Sequence, residues 1–196
     1  PDLLAANVNR WFGSSDERRM VRTLDGNVRA LLSDRYQRIE NDEIAEVALP
    51  VLADQRDMRV ESAAVTETKL YIKALFPRIE GEVRRGDMVQ AGVVISNSEV
   101  GAGAVTVTPL IFRLVCLNGM IREDGRLRGF HIGAKAVEGE SVYELLTDET
   151  RQADDRAILL KVRDVIRAAA DPAFFNRALE RMRESTAEKL SGNPAK

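Results

Sequence analysis

Hydrophobic and polar positions change period three times along this chain, and each change marks a different kind of element. Met20–Leu24 and Val28–Leu32 are extended apolar runs flanking Asp25-Gly26, a pair that accepts positive φ at both central positions and so predicts a two-residue hairpin, with a helix as the rival reading. The chain continues extended from Leu32 to Ile39 and reaches a polar break. Asn41 then reads as a helix N-cap, Asp42 and Glu43 suit the first turn, and Ile44, Val47, Ala48 and Val51 recur at helical spacing. This predicts a helix over 42–54, with Pro50 bending it or ending it early.

From Val60 the period is two. Val60, Ser62, Ala64 and Thr66 alternate with their neighbours, and after Glu67-Thr68 so do Leu70, Ile72, Ala74 and Phe76, a hairpin with one apolar face. Pro77–Asp87, dense in Arg and Glu, reads as a long loop. Met88–Ile95 is the next strand, where Gly92 predicts a bulge or the close approach of another backbone. After the Ser96–Gly103 turn, Ala104–Cys116 forms a second long strand, with Val105, Val107, Pro109, Ile111, Arg113 and Val115 on one face. Pro109 cannot donate to a ladder, which places this strand at an edge or at a bulge. Asn118-Gly119 supplies a tight turn, and a short run follows at Phe130–Ala136.

The last third returns to the helical period. Ile158, Leu159, Val162, Val165, Ile166 and Ala169 form one stripe, Asp171-Pro172 breaks it and starts the next helix, and Phe175, Ala178, Leu179 and Met182 line that helix to about Leu190. At the other end, Leu3, Leu4, Val8, Trp11 and Phe12 form a short helix or arm, with Trp11 as its anchor to the core. The pattern is α+β: a curved antiparallel β-meander with long hairpins, one N-terminal-half helix and two C-terminal helices packed on the sheet. Residues 1–19 are the arm, 20–190 one domain and 191–196 a frayed tail.

Composition narrows the chemistry. At 196 residues, 44% hydrophobic and 31% charged, the chain is long enough for one core and short for two ordinary domains. No apolar run reaches the roughly 18 residues of a membrane span, and no secretory leader is visible, so a cytoplasmic protein without membrane contact is expected. One cysteine excludes an intrachain disulfide. With 29 Lys+Arg against 31 Asp+Glu, no global field attracts nucleic acid, and any such binding needs a local patch.

Candidate catalytic sets are weak. Cys116, Asn118 and His131 are the residue types of a thiol protease, but no nucleophile signature surrounds the cysteine, which ends an apolar strand where a buried thiol is common. Acidic pairs Asp42-Glu43, Asp148-Glu149 and Asp154-Asp155 are explained by helix starts and exposed faces. Gly101-Ala102-Gly103 lies between strands instead of opening a helix, so it is a turn and not a phosphate loop. No cofactor or metal is implied.

A basic strip is the remaining candidate. Lys69, Tyr71 and Lys73 share a strand face, Arg84 and Arg85 lie in the adjoining loop, Arg113 is on the second long strand, and Arg122, Arg126 and Arg128 follow the Asn-Gly turn. Converging, they form a groove that neutralises phosphates with Tyr71 stacking on a base. Residues 78–128 hold seven Lys/Arg against six Asp/Glu, so the rival reading is a solvated face of dispersed charge.

Several separated motifs occur in order: Leu32-Ser33-Asp34-Arg35-Tyr36, Arg85-Gly86-Asp87, Ser96-Asn97-Ser98-Glu99-Val100-Gly101, Arg113-Leu114-Val115-Cys116-Leu117-Asn118-Gly119 and Arg128-Gly129-Phe130-His131. Together they resemble the phage/plasmid-like family of uncharacterised proteins on bacterial mobile elements, over roughly residues 20–170. The resemblance implies a mobile-element context and no established activity. By architecture alone, a helix, a β-meander and a long packing helix look like the core of single-strand annealing recombinases. The expectation is a non-enzymatic homo-oligomer that binds or anneals single-stranded DNA. A protein-binding or anti-defence accessory factor is the alternative, and an enzyme with an unrecognised site comes third.

Overall fold

The computed structural model describes residues 2–11, 19–33, 36–114, 119–121, 127–129 and 147–187. Helix α1 (Asp2–Trp11) precedes a two-stranded sheet of β1 (Arg19–Leu24) and β2 (Asn27–Ser33). Asp25 and Gly26 hold φ of 50° and 80°, so the Asp-Gly pair makes the predicted hairpin turn. Helix α2 (Asn41–Ala53) leads into a second, antiparallel sheet of β3 (Arg59–Val65), β4 (Leu70–Glu82), β5 (Met88–Asn97) and β6 (Val105–Arg113). Two short strands, β7 (Gly119–Ile121) and β8 (Leu127–Gly129), both pair with β6. Helices α3 (Asp148–Ala169) and α4 (Pro172–Ala187) close the described chain. The fold is α+β, with helices packed on the sheet as the periodicity predicted.

One apolar core joins these parts. Ile44, Ala48 and Leu52 of α2, Val162 and Ile166 of α3, and Phe175 and Leu179 of α4 meet Leu70, Ile72, Ala74, Val89, Val93, Ile95, Val105 and Val107 of the sheet. The helical stripes and the period-two faces read from the sequence are these surfaces. Behind the sheet, Leu75, Val94, Leu110 and Phe112 form a smaller buried cluster. Both faces of the central strands are therefore apolar near their middle, which explains why β5 reads as an almost continuous hydrophobic run.

Several boundaries differ from the sequence reading. Pro77–Asp87 is not a long loop, because β4 runs on to Glu82 through a bulge between Phe76 and Glu80 and only a tight turn remains before β5. Arg78, Glu80 and Glu82 are one side of a period-two strand whose other side, Ile79 and Gly81, meets the core and α4, and Val83 at the start of the turn is buried with them. The N-cap of α2 is Glu40, one residue earlier than predicted, with its backbone N–H donating to Glu43 Oε2 at 2.8 Å in a capping box. The same helix runs through Pro50 and ends one turn later. The β3–β4 hairpin has an apolar face only on β4, since every residue of β3 is exposed. Trp11 does not anchor the arm and is 89% exposed. That task falls to Asn9, which donates to Arg19 O at 3.0 Å and accepts from Arg19 N at 2.6 Å.

Two sequence signals are explained by neighbours. Thr108 and Pro109 lie between the register of β8, which pairs with Val105–Val107, and that of β7, which pairs with Leu110–Phe112. The proline thus occupies the interval where β6 has no short strand beside it among the described residues. Gly92 is required by close approach: a Cβ there would stand 2.6 Å from Ala74 O and 2.9 Å from Leu75 Cδ2. Gly92→Ala is expected to lower stability by about 1–3 kcal/mol, because a backbone oxygen in a sheet centre cannot yield. Urea unfolding checks this as a lower midpoint at unchanged slope.

Candidate functional site

The turn between β5 and β6 enters the interior. Asn97 and Ser98 are almost fully buried, and each polar group has a partner. Asn97 Nδ2 donates to Ile39 O at 3.0 Å and to Asn41 Oδ1 at 2.9 Å. Tyr36 Oη donates to Ser98 O at 2.8 Å, while Ser98 Oγ accepts from Ala102 N at 2.9 Å and shapes the turn. Glu99 continues the docking: its Oε1 accepts the Asn41 N–H at 2.9 Å, one of the donors a helix N-terminus leaves open, and its Oε2 faces Arg29 Nη1 at 3.2 Å. Gly101, at φ 78°, brings the turn against Leu32 of β2. Asn41 therefore acts as an acceptor for Asn97 instead of capping its own helix.

A second ionic pair lies beside this hub. Arg22 of β1 grips Glu40 with both guanidinium nitrogens, each at 2.5 Å. That hydrogen bonding holds the Glu40 carboxyl below its ordinary range, against the opposing effect of burial, and raises the Arg22 guanidinium. Burial raises the Tyr36 phenol, which keeps its proton for Ser98. Next to the pair opens a cleft of about 510 Å³, lined by Tyr36, Arg38, Glu40 and Glu43 on one side and Asp148, Arg151, Gln152 and Asp155 on the other.

The carboxylates of this cleft are committed. Glu40 is held by Arg22, Glu43 caps the Glu40 N–H, Asp155 accepts from Gln37 Nε2 at 2.6 Å and Asp148 faces Arg151 at 3.5 Å. Four carboxylates against two arginines also repel a phosphate backbone. The cleft is a polar seam between the start of α2 and the start of α3. Among the described residues, no group of three or more His, Cys, Asp or Glu is placed to hold a metal ion. Cys116, Asn118 and His131 lie outside the described residues.

The basic residues fall into separate groups. Tyr71 and Lys73 project from the sheet face opposite the helices, because they alternate with Leu70, Ile72 and Ala74 of the core. Register aligns Ser62, Lys73, Val94 and Thr108 in one row and Ala64, Tyr71, Ser96 and Thr106 in the next. Neither row contains a carboxylate. Lys73 Nζ sits 4.5 Å from the centre of the Phe112 ring, and Tyr71 is 37% exposed. Lys69 lies at the start of β4, with its Cε near Gly103. Arg59, unmarked by the sequence reading, stands opposite Leu75 on this same face and leans on Glu61 at 3.4 Å.

Arg84, Arg85 and Arg113 belong elsewhere. Arg84 and Arg85 are exposed at the β4–β5 turn, a strand length from Tyr71. Arg113 pairs in register with Val89 of the core face, not with the Lys73 side, and its Nε lies 2.9 Å from buried Asp87. The backbone of Arg128 lies opposite Thr106, in the row of Tyr71, whereas Arg122 and Arg126 lie outside the described residues. Alternation in the sequence set Arg113 with Val105, Val107 and Ile111, and strand register shows that this is the core side, away from Lys73.

Residues 29–190 match the family described as Domain of unknown function (DUF932). The chain belongs to this family. The matched span takes in most of β2, the hub, the whole larger sheet and α3 and α4, so the motif at Ser96–Gly101 lies at the hub and that at Arg85–Asp87 in the β4–β5 turn. Neither the curated proteins nor the solved structures contain a match to the chain. No helix among the described residues is long and apolar enough to cross a membrane.

For this DUF932 domain the hub predicts two outcomes. Asn97→Ala leaves the buried Ile39 carbonyl without its donor and is expected to lower stability by about 1–3 kcal/mol, measured by chemical denaturation. The Glu40 contribution depends on pH. Its folded carboxyl titrates below the unfolded value of 4.5, so its stabilisation is fully present above that value and disappears as pH falls through the lower, folded one. Glu40→Gln should therefore be destabilising at pH 7, and the difference from the unsubstituted protein should shrink in acid. An unchanged difference across an acid titration of the unfolding midpoint would count against this assignment.

Proposed function

We propose that the protein binds single-stranded DNA, along the face of its larger sheet opposite the described helices, as a non-enzymatic factor in replication or recombination of a phage or plasmid. The observation that carries this reading is the pair of carboxylate-free rows that present Lys73 and exposed Tyr71 side by side. A cation beside an aromatic ring is what sequence-independent single-strand binding uses: phosphate neutralisation with base stacking. Lys69 and Arg59 extend the same surface. The mobile-element setting and the annealing step rest on the order of motifs and on the arrangement of a β-meander with its helices on one side.

The face predicts a graded response. Fluorescence anisotropy with a labelled oligonucleotide should show salt-sensitive binding, and Lys69→Ala with Lys73→Ala should reduce the logarithmic salt slope by about 1.4, two phosphate contacts at roughly 0.7 each. Tyr71→Ala should cost about 1–3 kcal/mol of affinity with little effect on that slope. Arg113→Ala should act on stability through Asp87 and leave binding by the folded protein intact. No retention of the oligonucleotide at low salt would overturn the proposal.

A further inference from the structure

We infer that α1 and the β1–β2 hairpin form a strap, which lifts from the body of the protein as one unit when salt screens two arginine clamps, while the core stays folded. The body is the larger sheet with α2, α3 and α4. Burial along the chain draws the boundary between them. No described residue from Asp2 to Ser33 is buried, whereas Tyr36 and Ile39 just beyond are 7% and 2% exposed. None of the strap's described residues joins the apolar core or packs against it. Its own parts hold together, since β1 pairs with β2 along the whole hairpin and Asn9 ties α1 to Arg19.

Charge fastens the strap. Arg22 grips Glu40 and Arg29 faces Glu99, so both cations lie on the hairpin and both carboxylates on the body. Arg29 also donates to Glu67 O at 2.5 Å, and Leu32 against Gly101 adds an apolar contact near the end of β2. Glu40 and Glu99 interact with each other as well as with Arg22, so two like charges are left side by side when the hairpin departs. The four side chains keep between 14% and 32% of their surface, so water and counter-ions reach them. Screening there is strong, because the Debye length falls from about 10 Å at 0.1 M salt to about 3 Å at 1 M. A seam closed by apolar burial does not loosen in salt, whereas one closed by such pairs does.

Lifting leaves the hub in place and changes the cleft. Tyr36 stays bonded to Ser98 O, so the body begins at that residue. Met20 of β1 lines the cleft together with Tyr36 and Glu40, so a lifted strap opens that wall and removes the guanidinium that neutralises Glu40. A lone two-stranded hairpin and a helix of 10 residues are marginal without support, so the amides of both lose protection once the strap is off.

Hydrogen exchange of the full chain, resolved by segment over a salt series, tests the inference. Amides of β1 and β2 are expected to exchange through an opening that leaves β4 and β5 protected. They should quicken as sodium chloride rises from about 0.05 to about 1 M, with β4 and β5 unchanged. Arg22→Gln combined with Arg29→Gln should quicken the same amides at least about tenfold at low salt, the equivalent of one charge-assisted hydrogen bond, and should remove the salt response. If that variant fails to fold, the salt series on the unsubstituted chain decides alone. Exchange of β1 and β2 only together with β4 and β5, or an opening indifferent to salt or to the paired substitution, would overturn the inference. The measurement contains no nucleic acid and so reads the strap independently of DNA binding.

Discussion

A buried amide ties the end of β5 to the chain that leads into α2. Asn97, at the last position of β5, reaches across to Ile39 and Asn41 and so joins the larger sheet to the start of α2. A donor in an apolar interior with a carbonyl at 3.0 Å gives direction to the contact that packing alone lacks. Tyr36, Ser98 and Glu99 extend it to the smaller hairpin, through Arg29 and the Gly101–Leu32 contact. These bonds hold the start of α2 beside the sheet against which Ile44, Ala48 and Leu52 pack.

Charge is arranged locally on the described surface. The cleft near the hub is lined by carboxylates bound to arginine, amide or backbone partners, an arrangement that stabilises the junction of α2 and α3 without freeing a group for proton transfer. The face behind the sheet is different. Its rows through Tyr71 and Lys73 combine hydroxyls, an ammonium and a phenol without a carboxylate, while Arg59 on the same face is paired with Glu61 and Glu80 with Gln90. Net charge could not reveal this, because it averages over surfaces that face in opposite directions.

Local rules were legible wherever the local chain dictates conformation. Asp25-Gly26 predicted its turn because two successive positive φ values are accessible to few residue pairs. The stripes of α3 and α4 were legible because a helix repeats its buried face every turn, and Asp171-Pro172 marked their junction through one side-chain acceptor and one missing donor. Pro77–Asp87 was misread because alternating charges hid the alternating contacts of Ile79, Gly81 and Val83 with the core and with α4, a surface distant in sequence. Trp11 failed as an anchor for a related reason: a large aromatic indicates a wish for burial, not the presence of a surface to meet it.

By itself, then, the sequence determined the α+β class, the helical stripes, the first hairpin, the need for Gly92 and the membership of the polar residues that build the turn after β5. Only the tertiary structure decided how these act. It bound Asn97 to Ile39, assigned Arg113 to Asp87, separated Arg84 and Arg85 from Lys73, and paired β3 with β4 alone among the described strands. The physical reason is that periodicity reports which side of an element is apolar, whereas hydrogen-bond partners, strand neighbours and the convergence of charges depend on which elements meet in space.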